Sequence, residues 1–381
     1  MHPLRMIQNL ASNSDSIRDA VHIRNPKVLK ALLGPATRGY VLQRGKGQHS
    51  TDVATGYDAH FVWEYSRDHA ELAKLFAAAK AGQWNSDEVL DWKTEVDPFD
   101  PARELIPEAL LPLSDIPVYT KLSERERAEQ RYALLAWMLS QFLHGEQGAL
   151  FAACQVTEAV QWIDGKLYGS TQVMDEGRHV EVFHRYLTEK LEKFYPINDN
   201  LYVLIDALMS DSRWDIKFLA MQIMVEGLAL GAFGTIRSAT KEPLLKELLK
   251  FVITDEARHV HYGVVALGDY YTKELGDKDR REREDWAFEM SVLMRNRFLA
   301  HEFYDEYYAH RMKRSEWNRI VLESEFMGFF RKTMFKRIVP NLKRIGLLSD
   351  RIRPAYAELG LLEWENEKAA PDLTAKDLLE E

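Results

Sequence analysis

The sequence predicts an all-α protein built on a four-helix bundle, and three observations carry that prediction. Apolar residues recur at helical spacing along most of the 381 residues, no stretch alternates as a strand would, and four long periodic segments each hold an acid in an apolar middle. The acids are Glu146, Glu176, Glu226 and Glu256. A lone charge buried in such a setting is costly, so each needs a partner.

Taken in order, residues 1–58 show weak periodicity, with a short helix expected at 26–33 and a loop at 45–56. From residue 59 to 81, Phe61, Val62, Tyr65, Leu72, Leu75 and Phe76 recur as on an amphipathic helix. Gln83 to Ser86 ends it, with Asn85 or Ser86 able to cap the next short element. Five prolines between Pro98 and Pro117 make the following connector largely non-helical. Ser123 and Glu126 then form a capping box opening a helix through Trp137, Glu146 and Cys154 to about Ile163, with Asp164-Gly165 as the break.

A second helix carries Glu176 and His179 and stops before Pro196. After a short helix near 202–209, a third runs from about Trp214 to Ser238, and a fourth starts near Lys241 with Pro243 in its first turn. Two aromatic-rich helices follow, 280–314 and 316–339, the latter ended by Pro340, and the stretch from Asn366 reads as a mobile tail. The aromatics between 286 and 308 read as core and interface material, consistent with a homodimer. Three regions follow: a helical extension over 1–122, the bundle over 123–345 and a partly mobile extension over 346–381.

The chemistry lies in a repeat. Asp175-Glu176-Gly177-Arg178-His179 and Asp255-Glu256-Ala257-Arg258-His259 share one pattern, and residues three apart on a helix share a face, so each Glu and its His can hold one ion together. Glu146 and Glu226, Glu176 and Glu256, and His179 and His259 are each separated by 80 positions (226 − 146, 256 − 176, 259 − 179). Each half thus supplies a lone Glu and a Glu-x-x-His pair, and four carboxylates neutralise two divalent cations. The six metal ligands expected are Glu146, Glu176, His179, Glu226, Glu256 and His259. Asp175 and Asp255 are placed to accept the free ring N–H of a metal-bound imidazole, with Arg178 and Arg258 compensating those acids. His144, His184 and His261 fall off the ligand faces, and Glu158 is expected as an inward polar contact at the bundle end.

Composition narrows the partners. A net charge of −9 gives no support to nucleic-acid binding. Cys154 is the one cysteine, so no internal disulfide forms, and the start lacks an apolar signal core; a cytoplasmic location is the expectation. Residues 218–236 are long and apolar enough for a membrane span, but Glu226 and Gln222 inside them favour a buried bundle helix.

At these residues, over about 123–276, the sequence resembles the ferritin-like superfamily of di-iron carboxylate proteins. It is similar to bacterial multicomponent monooxygenase hydroxylases, acyl-carrier-protein desaturases and the radical-generating subunit of ribonucleotide reductase. The resemblance implies a ferritin-like bundle in which Glu146, Glu176 and His179 hold one iron and Glu226, Glu256 and His259 the other, with Glu176 and Glu256 as bridges and catalytic residues. It implies reduction of O2, the co-substrate, to a bound peroxo or higher-valent species. That oxidant would hydroxylate, epoxidise, desaturate or N-oxidise a largely hydrophobic organic molecule, with electrons from an external reductase.

Phe142, Ala149, Leu150, Phe183, Leu230, Phe233 and Val252 would make the pocket apolar. Particular subclasses depart from this chain. Phe183 stands where the reductase subunit has its radical Tyr, Leu230 and Ala229 where hydroxylases and desaturases have Thr, and Val252 where arylamine N-oxygenases have an extra His. Ala149 and Met221 stand where ligand-binding oxidases form a Val-to-Tyr crosslink. The alternatives are a manganese-iron pair, a radical-generating or ligand-binding oxidase, or iron storage.

Overall fold

Each of the four acids sits on a helix whose ends the local sequence fixes. The computed structural model describes residues 3–47, 49–56, 58–114 and 116–379. Helices α1 (Pro3–Ser12), α2 (Ser14–Val21) and α3 (Pro26–Ala36) lead through a loop to α4 (Ala70–Ala81). The bundle begins with α5 (Glu124–Ala159), where Ser123 Oγ accepts from Glu126 N and the Glu126 carboxylate accepts from Ser123 N at 2.8 Å. Its antiparallel partner α6 (Ile163–Arg185) follows a short link at 160–162. Then come α7 (Asp199–Ser210), α8 (Trp214–Ala239) and α9 (Pro243–Asp269). The Glu242 carboxylate caps α9 by accepting from Leu244 N and Leu245 N. Short links make α5/α6 and α8/α9 two antiparallel hairpins, and α4 lies across α6 and α9. Among the described residues there is no strand.

Helix α8 is wound unevenly. Residues Leu219–Val225 form a π-helical segment that ends where Glu226 begins. Such bulges shift the register of the side chains that follow and recur at functional sites. Gly263 on α9 makes the bulge possible, because a Cβ there would lie 2.6 Å from Gln222 Cβ. The most apolar part of α8 is wholly buried in the bundle, so the stretch long enough to cross a membrane is an interior helix.

Several expected boundaries move. Residues 59–69 are not helical: Phe61 and Tyr65 are 66% and 63% exposed, and Tyr65 has φ +54°, so the apolar spacing has no surface to pack against. The break after α5 falls at 160–162, and Asp164 and Gly165 lie in the first turn of α6. The region expected as one helix over 280–314 is split into α10 (Asp277–Arg297) and α11 (His301–Tyr307) by Ala300 at φ +46°. Ser324 divides the next into α12 (Arg314–Glu323) and α13 (Glu325–Phe335), and Pro340 opens α14 (Val339–Arg344) instead of ending its predecessor. Trp286, Phe303, Tyr304 and Tyr308 are buried within this chain, which leaves them no surface for a second copy.

The stretch from Asn366, expected as mobile, folds back on the bundle and ends in α15 (Ala375–Leu379). Arg237 and Arg337 hold it by donating to the carbonyls of Leu379 and Asp377 at 2.8 and 2.7 Å, and Ala369 and Ala370 are buried. Short apolar contacts and backbone acceptors anchor it, neither of which composition reveals. Glu158 is exposed and does not point inward.

Candidate metal centre

The two hairpins bring all six expected ligands to one depth. Glu146, Glu176, His179 and Glu256 offer ligand atoms within 4.8 Å of one another, and so do Glu176, Glu226 and His259. The imidazole centroids of His179 and His259 are 6.0 Å apart. Each of two carboxylates spans that gap. Glu176 lies with Oε2 3.4 Å from His179 Nδ1 and Oε1 3.1 Å from His259 Nδ1. Glu256 mirrors it, with Oε1 3.1 Å from His179 Nδ1 and Oε2 3.6 Å from His259 Nδ1. Glu146 Oε2 is 3.4 Å from His179 Nδ1 and completes one end, while Glu226 groups with His259 at the other.

The unmatched atoms are the test of whether cations belong here. Glu176 Oε2, Glu226 Oε2, both oxygens of Glu256 and the Nδ1 atoms of His179 and His259 are buried without a hydrogen-bond partner. Buried polar groups almost always have partners, so six facing one another need something that accepts lone pairs. Four carboxylates and two imidazoles on facing helices are the donor set of bundle di-iron and di-manganese sites, and oxygen and imidazole donors suit iron and manganese. The residues therefore fit a pair of divalent iron ions, or a manganese and an iron.

Electrostatics point the same way. Burial pushes the Glu146 and Glu226 carboxyls well up, aided by Glu256 beside the first and Glu176 beside the second. Burial also opposes charge on the imidazoles, yet Asp255 and the facing glutamates hold His179 well above its usual value, and Glu176 does so for His259.

The supporting acids are crossed between the hairpins. His179 Nε2 lies 3.2 Å from Asp255 Oδ2, and His259 Nε2 lies 3.3 Å from Asp175 Oδ2, so each acid orients the imidazole of the opposite hairpin. Arg178 donates to Asp175 at 2.5 Å and to Asp255 at 3.0 Å, and Arg258 donates to Asp255. This closed array fixes ring tautomers and keeps the donor Nδ1 atoms inward.

Four contributors escaped sequence reasoning. Gln83 donates to Asp175 Oδ1 and Trp84 Nε1 to Asp255 Oδ2, both at 2.8 Å, and Arg178 stacks over the Trp84 ring at 4.5 Å. Both residues lie in the link that follows α4, outside the bundle, so no spacing connects them to it. Gln172 donates to Glu226 Oε1 at 2.9 Å and to Glu176 Oε1 at 3.1 Å, while Gln222 donates to Gln172 Oε1 at 3.3 Å. These two were legible: each stands four residues before a ligand Glu, on the same helical face.

The site consequently has unlike ends. Gln172 and Gln222, with the buried Tyr168 ring tilted 58° to that of Tyr262 at 4.6 Å, make one end polar. At the other, the Phe233 ring lies 4.7 Å from Phe142 and 5.6 Å from Phe183. Ala149, Leu230 and Val252 are buried nearby, whereas Leu150 is only half-buried. His144 lies near the Tyr195 carbonyl and His261 near Glu71, both away from the ligands.

No family model and no curated protein matches the sequence. Among solved structures the chain is similar to R2-like ligand-binding oxidases. A point mutant with an aerobically reconstituted Mn/Fe cofactor gives a TM-score of 0.45 at 16% identity, covering 72% of this chain and 93% of that one. Another, with an anaerobically reconstituted Mn/Fe cofactor, gives 0.42 at 18% identity over 69% of this chain and 92% of that one. In its paired hairpins and in the lone Glu and Glu-x-x-His that each contributes, the chain has the architecture of the ferritin-like di-metal carboxylate proteins.

Proposed function

We propose that the protein is an oxidoreductase that uses O2 to oxidise a largely hydrophobic organic molecule at a di-metal centre. Six partnerless ligand atoms facing one another beside an aromatic wall carry this reading. Two irons, or manganese and iron, would supply the reduction of O2 when bound. Glu146, Glu176 and His179 would hold one ion and Glu226, Glu256 and His259 the other. Glu176 and Glu256 each present an oxygen toward both imidazoles, which sets the spacing of the pair.

Asp175 and Asp255 keep the imidazole Nδ1 lone pairs inward by accepting at Nε2. Phe142, Phe183 and Phe233 exclude water from one end, where an apolar substrate is favoured by the same burial that disfavours a charged one. Hydroxylation, epoxidation, desaturation and N-oxidation all fit such a wall, and an external reductase would supply electrons.

The test is anaerobic loading with Fe(II), with and without Mn(II), followed by an O2 pulse. Uptake of two ions per chain and O2 consumption that saturates with the metal bound support the proposal. Loss of uptake in Glu176→Ala and Glu256→Ala supports the ligand assignment. A ferric mineral growing beyond two ions per chain would indicate storage instead, and uptake unchanged in both variants would overturn the site.

A further inference from the structure

One buried cation is left without a counterpart. Arg297, the last residue of α10, is 4% exposed, and it shares a helical face with Met290 and Met294, both wholly buried. Among the described residues no carboxylate, carbonyl or hydroxyl accepts from its guanidinium, and its Nε is sealed from solvent. The Phe298 ring lies 5.1 Å from the guanidinium carbon and offers a π face but no lone pair.

The acids on and beside α10 are already engaged elsewhere. Asp19 accepts from Arg295 and Asn296 at 2.9 and 2.7 Å, and Glu302 accepts from Lys46 at 2.8 Å. Further back along the helix, Asp215 pairs with Arg283, Glu282 with Arg213 and Lys27, and Glu284 with Arg351. Glu289, two turns back, is turned toward Asp285, Asp19 and His22. The neutral acceptors of the same turn are occupied too, Asn296 Oδ1 by Arg295 and the Leu299 carbonyl by Trp317 Nε1. The carboxyl end of α10 offsets part of the charge through its dipole, yet gives Nε nothing to donate to. Burial pushes the guanidinium down to about 10, still charged at neutral pH, and no other charged group bears on it. An unpaired charge at that depth is among the costliest features a fold can carry.

We infer that Arg297 is the floor of a binding site for a small monocarboxylate, separate from the metal centre and independent of the function proposed above. A guanidinium presents its N–H groups in a flat fork that two carboxylate oxygens match, and Nε is an unused prong of it. One negative charge closes the balance. A phosphate would bring close to two and leave one buried and unpaired, while chloride supplies the charge but has no second atom for the fork. Met294 and Phe298 beside the guanidinium are apolar, which suits the methyl end of an acetate-sized ion. The charges that bear on His179, His259, Glu146 and Glu226 come from one another, from Glu176, Glu256, Asp175 and Asp255, and from Tyr168, so the ion held by Arg297 is no part of the ligand set.

The experiment is calorimetric titration of the metal-loaded full-length protein with sodium acetate, chloride and phosphate in a low-salt zwitterionic buffer, with thermal midpoints read across the acetate range. One acetate per chain should bind, about ten-fold or more tighter than either other anion, and equally well once the metal is chelated. Above its Kd, each ten-fold rise in acetate should lift the midpoint by about 2 °C. Arg297→Met, of similar length and apolar, should bind no acetate and lose that lift while keeping its metal content. Arg297→Lys, which keeps the charge without the fork, should bind acetate about ten-fold more weakly. Absence of acetate binding, chloride or phosphate binding as tightly as acetate, binding that disappears with the metal, or wild-type binding in Arg297→Met overturns the inference. If neither variant folds, the ranking of the three anions on the wild-type protein, with and without metal, decides it.

Discussion

Replacing Asp255 by Asn tests the crossed arrangement most sharply, because adjacency in sequence and contact in space predict opposite outcomes. Asp255 neighbours Glu256 and lies one turn from His259, yet its Oδ2 faces His179 Nε2 at 3.2 Å, along with Trp84 Nε1 at 2.8 Å and Arg178 at 3.0 Å. Asn keeps the shape and one acceptor but removes the charge that polarises the ring N–H. Disrupting such a partner weakens metal binding about 10- to 100-fold, or roughly 1.4–2.7 kcal/mol. On the ligand sets proposed above, the loss should fall on the ion that His179 would hold with Glu146. Asp175→Asn should instead weaken the ion that His259 and Glu226 would hold.

Chelator competition gives the affinities, and anomalous scattering from crystals at sub-saturating metal gives the occupancy of each position. Arg178 and Arg258 lose one of two counter-charges in either variant, so circular dichroism must first establish that the fold survives. Depletion of the His259 position in Asp255→Asn, or equal depletion of both, would refute the crossed assignment.

Three further outcomes follow from the same arrangement. His179, His259, Glu146 and Glu226 are all pushed up by their surroundings, so each holds a proton to higher pH than the free side chain would. Metal binding should release protons and weaken as pH falls, read by calorimetry in buffers of different ionisation enthalpy; uptake independent of pH would contradict it. Gly263→Ala pushes a Cβ to 2.6 Å from Gln222 Cβ and should cost about 1–3 kcal/mol by overpacking, seen as a lower denaturant midpoint with weaker metal binding. Glu302 is buried, which alone would raise its pKa, but Lys46 at 2.8 Å, Asn198 and Trp137 together hold it at about 2. Its contribution is therefore full above the usual carboxylate range and is lost as pH falls toward 2. Glu302→Gln should destabilise by about 3–5 kcal/mol at neutral pH, with the gap to wild type closing in urea melts between pH 5 and 2.

What the sequence made legible was whatever repeats or caps. The Ser123 capping box, the four acid-bearing helices and the two hairpins are readable because their signals lie within one turn or recur at a fixed offset. The six acids and imidazoles that meet at one depth were legible for the same reason. Residues 59–69 misled because Phe61 and Tyr65 have helical spacing on a segment with nothing to cover it. The breaks at Ala300 and Ser324 were hidden by aromatics that continue the apolar pattern across them. The crossing of Asp175 and Asp255 depends on how two hairpins face each other, which no local pattern encodes.

The link after α4 gives the first 122 residues a duty beyond decoration. Gln83 and Trp84 roof the two acids behind the imidazoles, and the Trp84 ring covers the arginine between them. A piece cut at Ser123 would keep every donor and lose that roof. Water would then compete for both aspartates, and the apolar residues of the bundle that pack on Leu72, Leu75 and Ala79 would be uncovered. Attempts to shorten this chain for engineering should therefore begin at its surface loops and leave its amino-terminal third in place.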